Sequence, residues 1–64
     1  MTPIEYLRNR EDELIKVGEQ LDDQYICNRE QGNHDMARAL SAAQQYNLRE
    51  IALVQRMIKD LRTL

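Results

Sequence analysis

The sequence predicts an all-α protein, an antiparallel two-helix hairpin. Two long segments carry apolar residues at helical spacing, a break falls between them at Gln31-Gly32-Asn33, and no segment alternates apolar and polar residues as a strand does. We expect one domain over residues 1–64, with helices at about 3–31 and 35–62 and a turn at about 32–34. A connection this short requires the helices to lie antiparallel.

The first helix has a strong start signal. Thr2 supplies a hydroxyl cap, Pro3 suits the first helical position, and Glu5 stands where a capping box needs a glutamate. Its apolar spine follows helical steps: Ile4, Leu7, Leu14, Leu21 and Tyr25. Glu11 interrupts this spine, where it can reach an arginine of a partner or extend into solvent.

The turn sets the register between the helices. Gly32 is a natural left-handed terminator, and Asn33 or Asp35 can cap the second helix. Folding at residues 32 and 33 places residue i opposite about 65 − i, so that apolar residues of the two helices meet. The same register places Gly18 opposite Asn47.

Gly18 and Asn47 form the predicted register and specificity pair. A glycine inside a helix costs about 1 kcal/mol relative to alanine, which suggests a close approach of the helices or room for the Asn47 amide. A paired buried amide fixes alignment and oligomeric state. The alternative is that Gly18 is merely tolerated and Asn47 turns to solvent.

The second helix carries two apolar stripes, although a hairpin needs only one. The inner stripe is the set expected to face the first helix: Met36, Leu40, Ala43, Ile51, Val54, Ile58 and Leu61. The outer stripe lies on the neighbouring side: Ala39, Ala42, Tyr46, Leu53, Met57 and Leu64. Because the first helix can cover one stripe only, the outer stripe is the predicted partner-binding surface.

The size and charge of the chain also favour association with a partner. A chain of 64 residues buries only about 60% of its unfolded surface, and a single Cys27 and a single His34 exclude an internal disulfide and a Cys/His metal site. Residues 1–31 hold four basic and eight acidic side chains, net −4, and residues 32–64 hold five and three, net +2. Opposite charges favour pairing of the two helices, within a chain and between subunits.

The sequence argues against catalysis, cofactors and membranes. Two short helices offer a seam rather than a pocket, His34 is expected to be a solvated turn residue, and Cys27 is expected to be an exposed thiol. The start has no signal-peptide features, and no segment approaches the ~20 apolar residues of a membrane span. We expect a complete cytoplasmic protein that is not an enzyme, with no metal, cofactor, membrane or small-molecule partner.

The predicted function is therefore non-catalytic protein binding by an adaptor, regulator or co-chaperone. The partner is either a second copy, which would complete a four-helix bundle, or another helical protein. The alternative is nucleic-acid binding by a dimeric hairpin. Its candidate residues follow the outward side of the second helix: Arg38, Arg49, Arg56 and nearby Lys59.

Two resemblances illustrate these functions. In size and layout the chain is similar to small antiparallel hairpins that dimerise into four-helix bundles, a group that includes the plasmid RNA-binding protein Rop. The helix from Thr2, the Gly32 turn and the closing run Ile51-Ala52-Leu53-Val54 followed by Asp60-Leu61 also resemble the hairpin co-chaperones of bacterial type III secretion needles. That second resemblance implies pairing with a larger helical-repeat chaperone that keeps a needle subunit soluble.

Overall fold

The computed structural model describes all residues, 1–64, as two helices packed side by side. Helix α1 spans Pro3–Glu30 and helix α2 spans His34–Arg62, and there are no strands. The predicted hairpin is confirmed, with helix ends within one residue of those expected. Neither helix combines the length and apolar character that crossing a membrane requires.

The start of α1 uses the predicted cap. The Thr2 hydroxyl accepts a hydrogen bond of 3.1 Å from the Glu5 amide, and Pro3 is the first helical residue. The Glu5 side chain makes no return bond to Thr2, so only one half of the capping box forms.

The turn ends α1 through a Schellman motif. Gly32 has a φ of 76°, its amide bonds the Arg29 carbonyl at 3.1 Å, and the Asn33 amide bonds the Asn28 carbonyl at 2.8 Å. Asn33 stands at the N-cap position of α2 but its side-chain oxygen caps no amide; its side-chain nitrogen donates to Asn28 Oδ1 at 3.2 Å. Asp35 lies inside the first turn of α2.

A seam of heptad spacing joins the two helices. Its α1 residues are the only ones in that helix shielded from solvent: Ile4, Leu7, Glu11, Leu14, Gly18, Leu21, Tyr25 and Asn28. The shielded α2 residues include a matching set: Ala37, Leu40, Gln44, Asn47, Ile51, Val54, Ile58 and Leu61. Alternating steps of three and four residues give the 3.5-residue repeat of a coiled-coil seam.

The prediction that Met36 belongs to the inner stripe is wrong. Its side chain is 49% exposed, and Ala37 is buried in its place. A repeat of 3.6 residues per turn aligns Met36 with Val54, but the seam repeats every 3.5 residues, so over this span the two patterns diverge by roughly 50°. The other members of the inner stripe are shielded from solvent.

The apolar core occupies the half of the hairpin that holds the chain ends. It comprises Leu7, Leu14, Val54 and Ile58, with Ile51 and Leu61 packed against them. Towards the turn, the seam mixes apolar residues such as Leu40 with small or polar ones such as Ala37 and Gln44. The core is therefore thin, with only 7 residues buried and none of them completely.

The opposite charges of the two helices do not produce ion pairs between them. The single ion pair joins Arg10 to Glu13 within α1, at 3.7 Å. A hydrogen bond between side chains, from Gln44 to Asp22, joins the helices instead. Glu11 is half-buried and makes no ion pair, and its charge faces a groove that Lys59 also lines.

Candidate interaction surface

The outer stripe stays exposed after α1 has packed against α2. Tyr46 is 68% exposed, Leu53 is 53% exposed and Met57 is 43% exposed. These residues follow one another at steps of seven and four, so they occupy one side of the helix over three turns. The hairpin therefore leaves an apolar strip on α2 that its own first helix does not cover.

The small members of the stripe extend it towards the turn, and its last member does not belong to the helix. Ala39 and Ala42 are exposed within α2, where their short side chains leave room for a close approach. Leu64 lies two residues beyond Arg62, the last helical residue, and is 99% exposed. Helical spacing does not hold Leu64 on the outer stripe.

Tyr46 is held by a neighbour on its own helix. The Arg49 guanidinium lies over the Tyr46 ring, 5.8 Å from its centroid, within the range of a cation–π interaction. Because Arg49 covers one face of the ring, the other face and the ring edge are the parts that a partner can contact.

A groove on the other side of the hairpin shows which face the outer stripe occupies. A shallow groove of about 390 Å³ runs between the helices there, and Ile15 and Leu48 stand on its two walls. Tyr46 precedes Leu48 by two residues and Met57 follows it by nine, so both point about half a turn away from the groove. The outer stripe and the groove therefore lie on opposite faces.

Tyr6 and Val17 of α1 share the face of the outer stripe, and the sequence-based interpretation missed them. Both side chains are exposed, and they precede and follow Ile15 by nine and two residues, about half a turn from the groove. Their separation of eleven residues, close to three full turns, is the signal that could have found them. We call these two residues together with the outer stripe the apolar face.

The predicted register pair is in contact at the middle of the seam. Asn47 is buried, and its amide group donates to the Leu14 carbonyl at 2.9 Å. A Cβ atom placed on Gly18 would lie 2.6 Å from Asn47 Oδ1, so the glycine makes room for this amide. The register of about 65 − i is confirmed at this pair, and the reading in which Asn47 turns to solvent is wrong.

The candidate nucleic-acid residues are all exposed on α2. Arg38, Arg49 and Arg56 make no ion pair with any carboxylate. Lys59 departs from their row, because it lines a second groove of about 390 Å³ together with Arg62 and with acidic Asp12.

Cys27 and His34 lie towards the turn and are exposed. The Cys27 sulfur accepts a weak hydrogen bond of 3.6 Å from Gln31. His34 is the first residue of α2 and borders a shallow surface groove with Tyr25 and Arg38. Comparison of the chain with protein-family models, curated proteins and solved structures found no match.

Proposed function

We propose that this chain is a small non-catalytic interaction module, an adaptor, regulator or co-chaperone, that binds a helical protein surface through its apolar face. The observation that carries this proposal is the exposure of Tyr46, Leu53 and Met57 on one side of α2, where Glu50 is also exposed. Single exposed apolar residues are common on protein surfaces, whereas several large ones on one side of a helix are typical of binding sites.

The thin core adds a second reason for a partner. Seven buried residues, none of them fully enclosed, are few for a chain of 64 residues. Each large aliphatic side chain removed from water contributes roughly 1.5 to 3 kcal/mol. Covering Leu53 and Met57 would therefore add stabilisation that the hairpin lacks when it stands alone.

Site-specific photo-crosslinking tests this proposal with a matched control. The photoreactive residue p-benzoylphenylalanine replaces Tyr46 in one variant and Leu48 in another, in cells that make the protein. These positions are 68% and 65% exposed and lie on opposite faces of the same helix. We expect protein adducts from position 46 that are absent from position 48 and disappear when Leu53→Asp is added. Equal labelling from both positions, or none, would contradict the proposal.

Nucleic-acid binding is the second candidate, and the exposed arginines without acidic partners support it. Arg38, Arg49 and Arg56 are exposed along one side of α2 and form no ion pair, although the Arg49 guanidinium also lies over the Tyr46 ring. The test is retention of labelled duplex RNA and DNA at about 50 mM salt, where phosphate contacts are strong. Changing the three arginines to glutamine should abolish retention, while Lys16→Gln on α1 serves as a single-charge control. A wild-type chain that retains neither nucleic acid excludes this candidate.

A further inference from the structure

We propose that the apolar face is covered by a second copy of this chain, in a four-helix bundle where α1 of each copy lies against α2 of the other. This inference rests on the proposed function and names its partner. It follows from the extent of the apolar face and from the distribution of charge between the two helices.

The face has the dimensions of a dimer interface. The hairpin measures 49 by 16 by 10 Å between its Cα atoms, so its broad side covers roughly 800 Å². A stable protein–protein interface buries about 800 Å² on each partner. A second hairpin laid along the whole broad side would therefore bury the area that a stable complex needs.

Both helices contribute apolar groups to this broad side. Tyr6 and Val17 stand on α1, and Tyr46, Leu53 and Met57 stand on α2. An isolated helix would cover one of these two rows. A two-helix partner of equal length covers both rows, and a second copy of the chain has this shape.

The charges of the helices select the orientation. Helix α1 has four basic and eight acidic side chains, net −4, whereas α2 has five basic and three acidic side chains, net +2. Placing α1 against α1 and α2 against α2 brings like charges together. Placing α1 of one copy against α2 of the other brings opposite charges together across both inter-subunit contacts.

This pairing determines the symmetry of the bundle. A two-fold axis parallel to the helices is the operation that stacks α1 on α2 while the same faces meet. Every adjacent pair of helices is then antiparallel, and both Gly32 turns lie at the same end. The competing arrangement, with like helices stacked, places the two turns at opposite ends.

Sedimentation equilibrium of the purified chain tests the identity of the partner. We expect twice the chain mass of 7.6 kDa. Leu53→Asp should weaken association by roughly 100-fold, because it places a charge in an apolar interface. Leu48→Asp makes the same change on the groove face and should leave the mass unchanged. Circular dichroism of each variant reports whether the helices persist.

Spin–spin distances test the orientation. In a Cys27→Ser, His34→Cys variant, each copy carries one nitroxide label beside the turn. Turns at the same end place the labels about 20 to 30 Å apart. Turns at opposite ends place them about 40 Å apart or more, the length of a 28-residue helix. The longer distance would overturn the α1-to-α2 pairing.

The two proposals fail in different ways. A wild-type chain that is monomeric and helical at high concentration overturns self-association, even if position 46 still forms adducts with another protein. Loss of the position 46 adducts together with a monomeric mass overturns the interaction module as well. A dimer that Leu53→Asp and Leu48→Asp weaken equally places the interface elsewhere and also overturns the inference.

Discussion

Asn47 reaches across the helix pair and donates a hydrogen bond of 2.9 Å to the main-chain carbonyl of Leu14. That carbonyl lies four residues before Gly18, where a helix directs its carbonyl towards the amide of the glycine. A side chain at position 18 would obstruct the approach, because its Cβ would come within 2.6 Å of Asn47 Oδ1. Residues 14, 18 and 47 therefore act as one packing unit.

Gly18→Ala should destabilise the hairpin, although alanine is the better helix former. The substitution gains about 1 kcal/mol of helix propensity. It displaces the Asn47 amide from its buried bond, at a cost of about 1 to 3 kcal/mol. We expect a net loss of about 1 kcal/mol in the free energy of unfolding, measured by urea denaturation.

The effect of Gly18→Ala on stability should reverse when Asn47 is absent. In an Asn47→Ala background no amide obstructs the new Cβ, so Gly18→Ala should stabilise by about 1 kcal/mol. Equal effects in the two backgrounds would show that the two residues are not coupled.

Asn47→Leu should raise the stability of the hairpin and weaken its preference for one register and one oligomeric state. An asparagine at a seam position lowers stability while it fixes register and oligomeric state. We expect a higher unfolding temperature together with more than one species by analytical ultracentrifugation. Gln45→Leu, at an exposed position of the same helix, should change neither the register nor the seam. A single sharp species for Asn47→Leu would remove the specificity role.

Ala37→Met should destabilise the hairpin more than Met36→Ala does. Ala37 is buried in the seam, so a larger side chain there must displace α1 or the turn, at a cost of about 1 to 3 kcal/mol. Met36 is half-exposed, and Met36→Ala should change stability by about 0.5 kcal/mol or less. Thermal unfolding followed at 222 nm compares the two. A larger loss of stability from Met36→Ala would indicate that Met36 packs in the seam, as the 3.6-residue pattern predicts.

Gly32→Ala should weaken the turn through its backbone alone. The φ of 76° disfavours an L side chain, while no atom lies within 4 Å of a new Cβ. We expect a loss of about 1 kcal/mol, and a smaller loss for Gly32→Asn, since asparagine tolerates this conformation better. Equal losses for the two variants would point to packing rather than to backbone strain.

Much of the fold is readable from the chain because its signals are local. The Thr2 cap, Gly32 and the apolar repeat define two helices, and turn length defines their antiparallel order. Met36 shows where such reasoning stops. Its position relative to the seam depends on how the two helices wind around each other, which a straight-helix projection omits.

The candidate surface, too, is predicted by the sequence in part only. The outer stripe of α2 is visible as a pattern within one helix, whereas the contribution of Tyr6 and Val17 depends on which side of α1 accompanies that stripe. Charge patterning predicts attraction between the helices, yet the side chains form no ion pair between them, because every charged side chain except Glu11 lies outside the seam.

The sequence by itself determined two amphipathic helices, the turn that reverses them and an excess of apolar surface on α2, since each depends on spacing along the chain. The tertiary structure decided which residues line the seam, how Asn47 uses the space at Gly18, and which α1 side chains join the exposed face. These features depend on the rotation and separation of two packed helices, and neither helix specifies that rotation or separation alone.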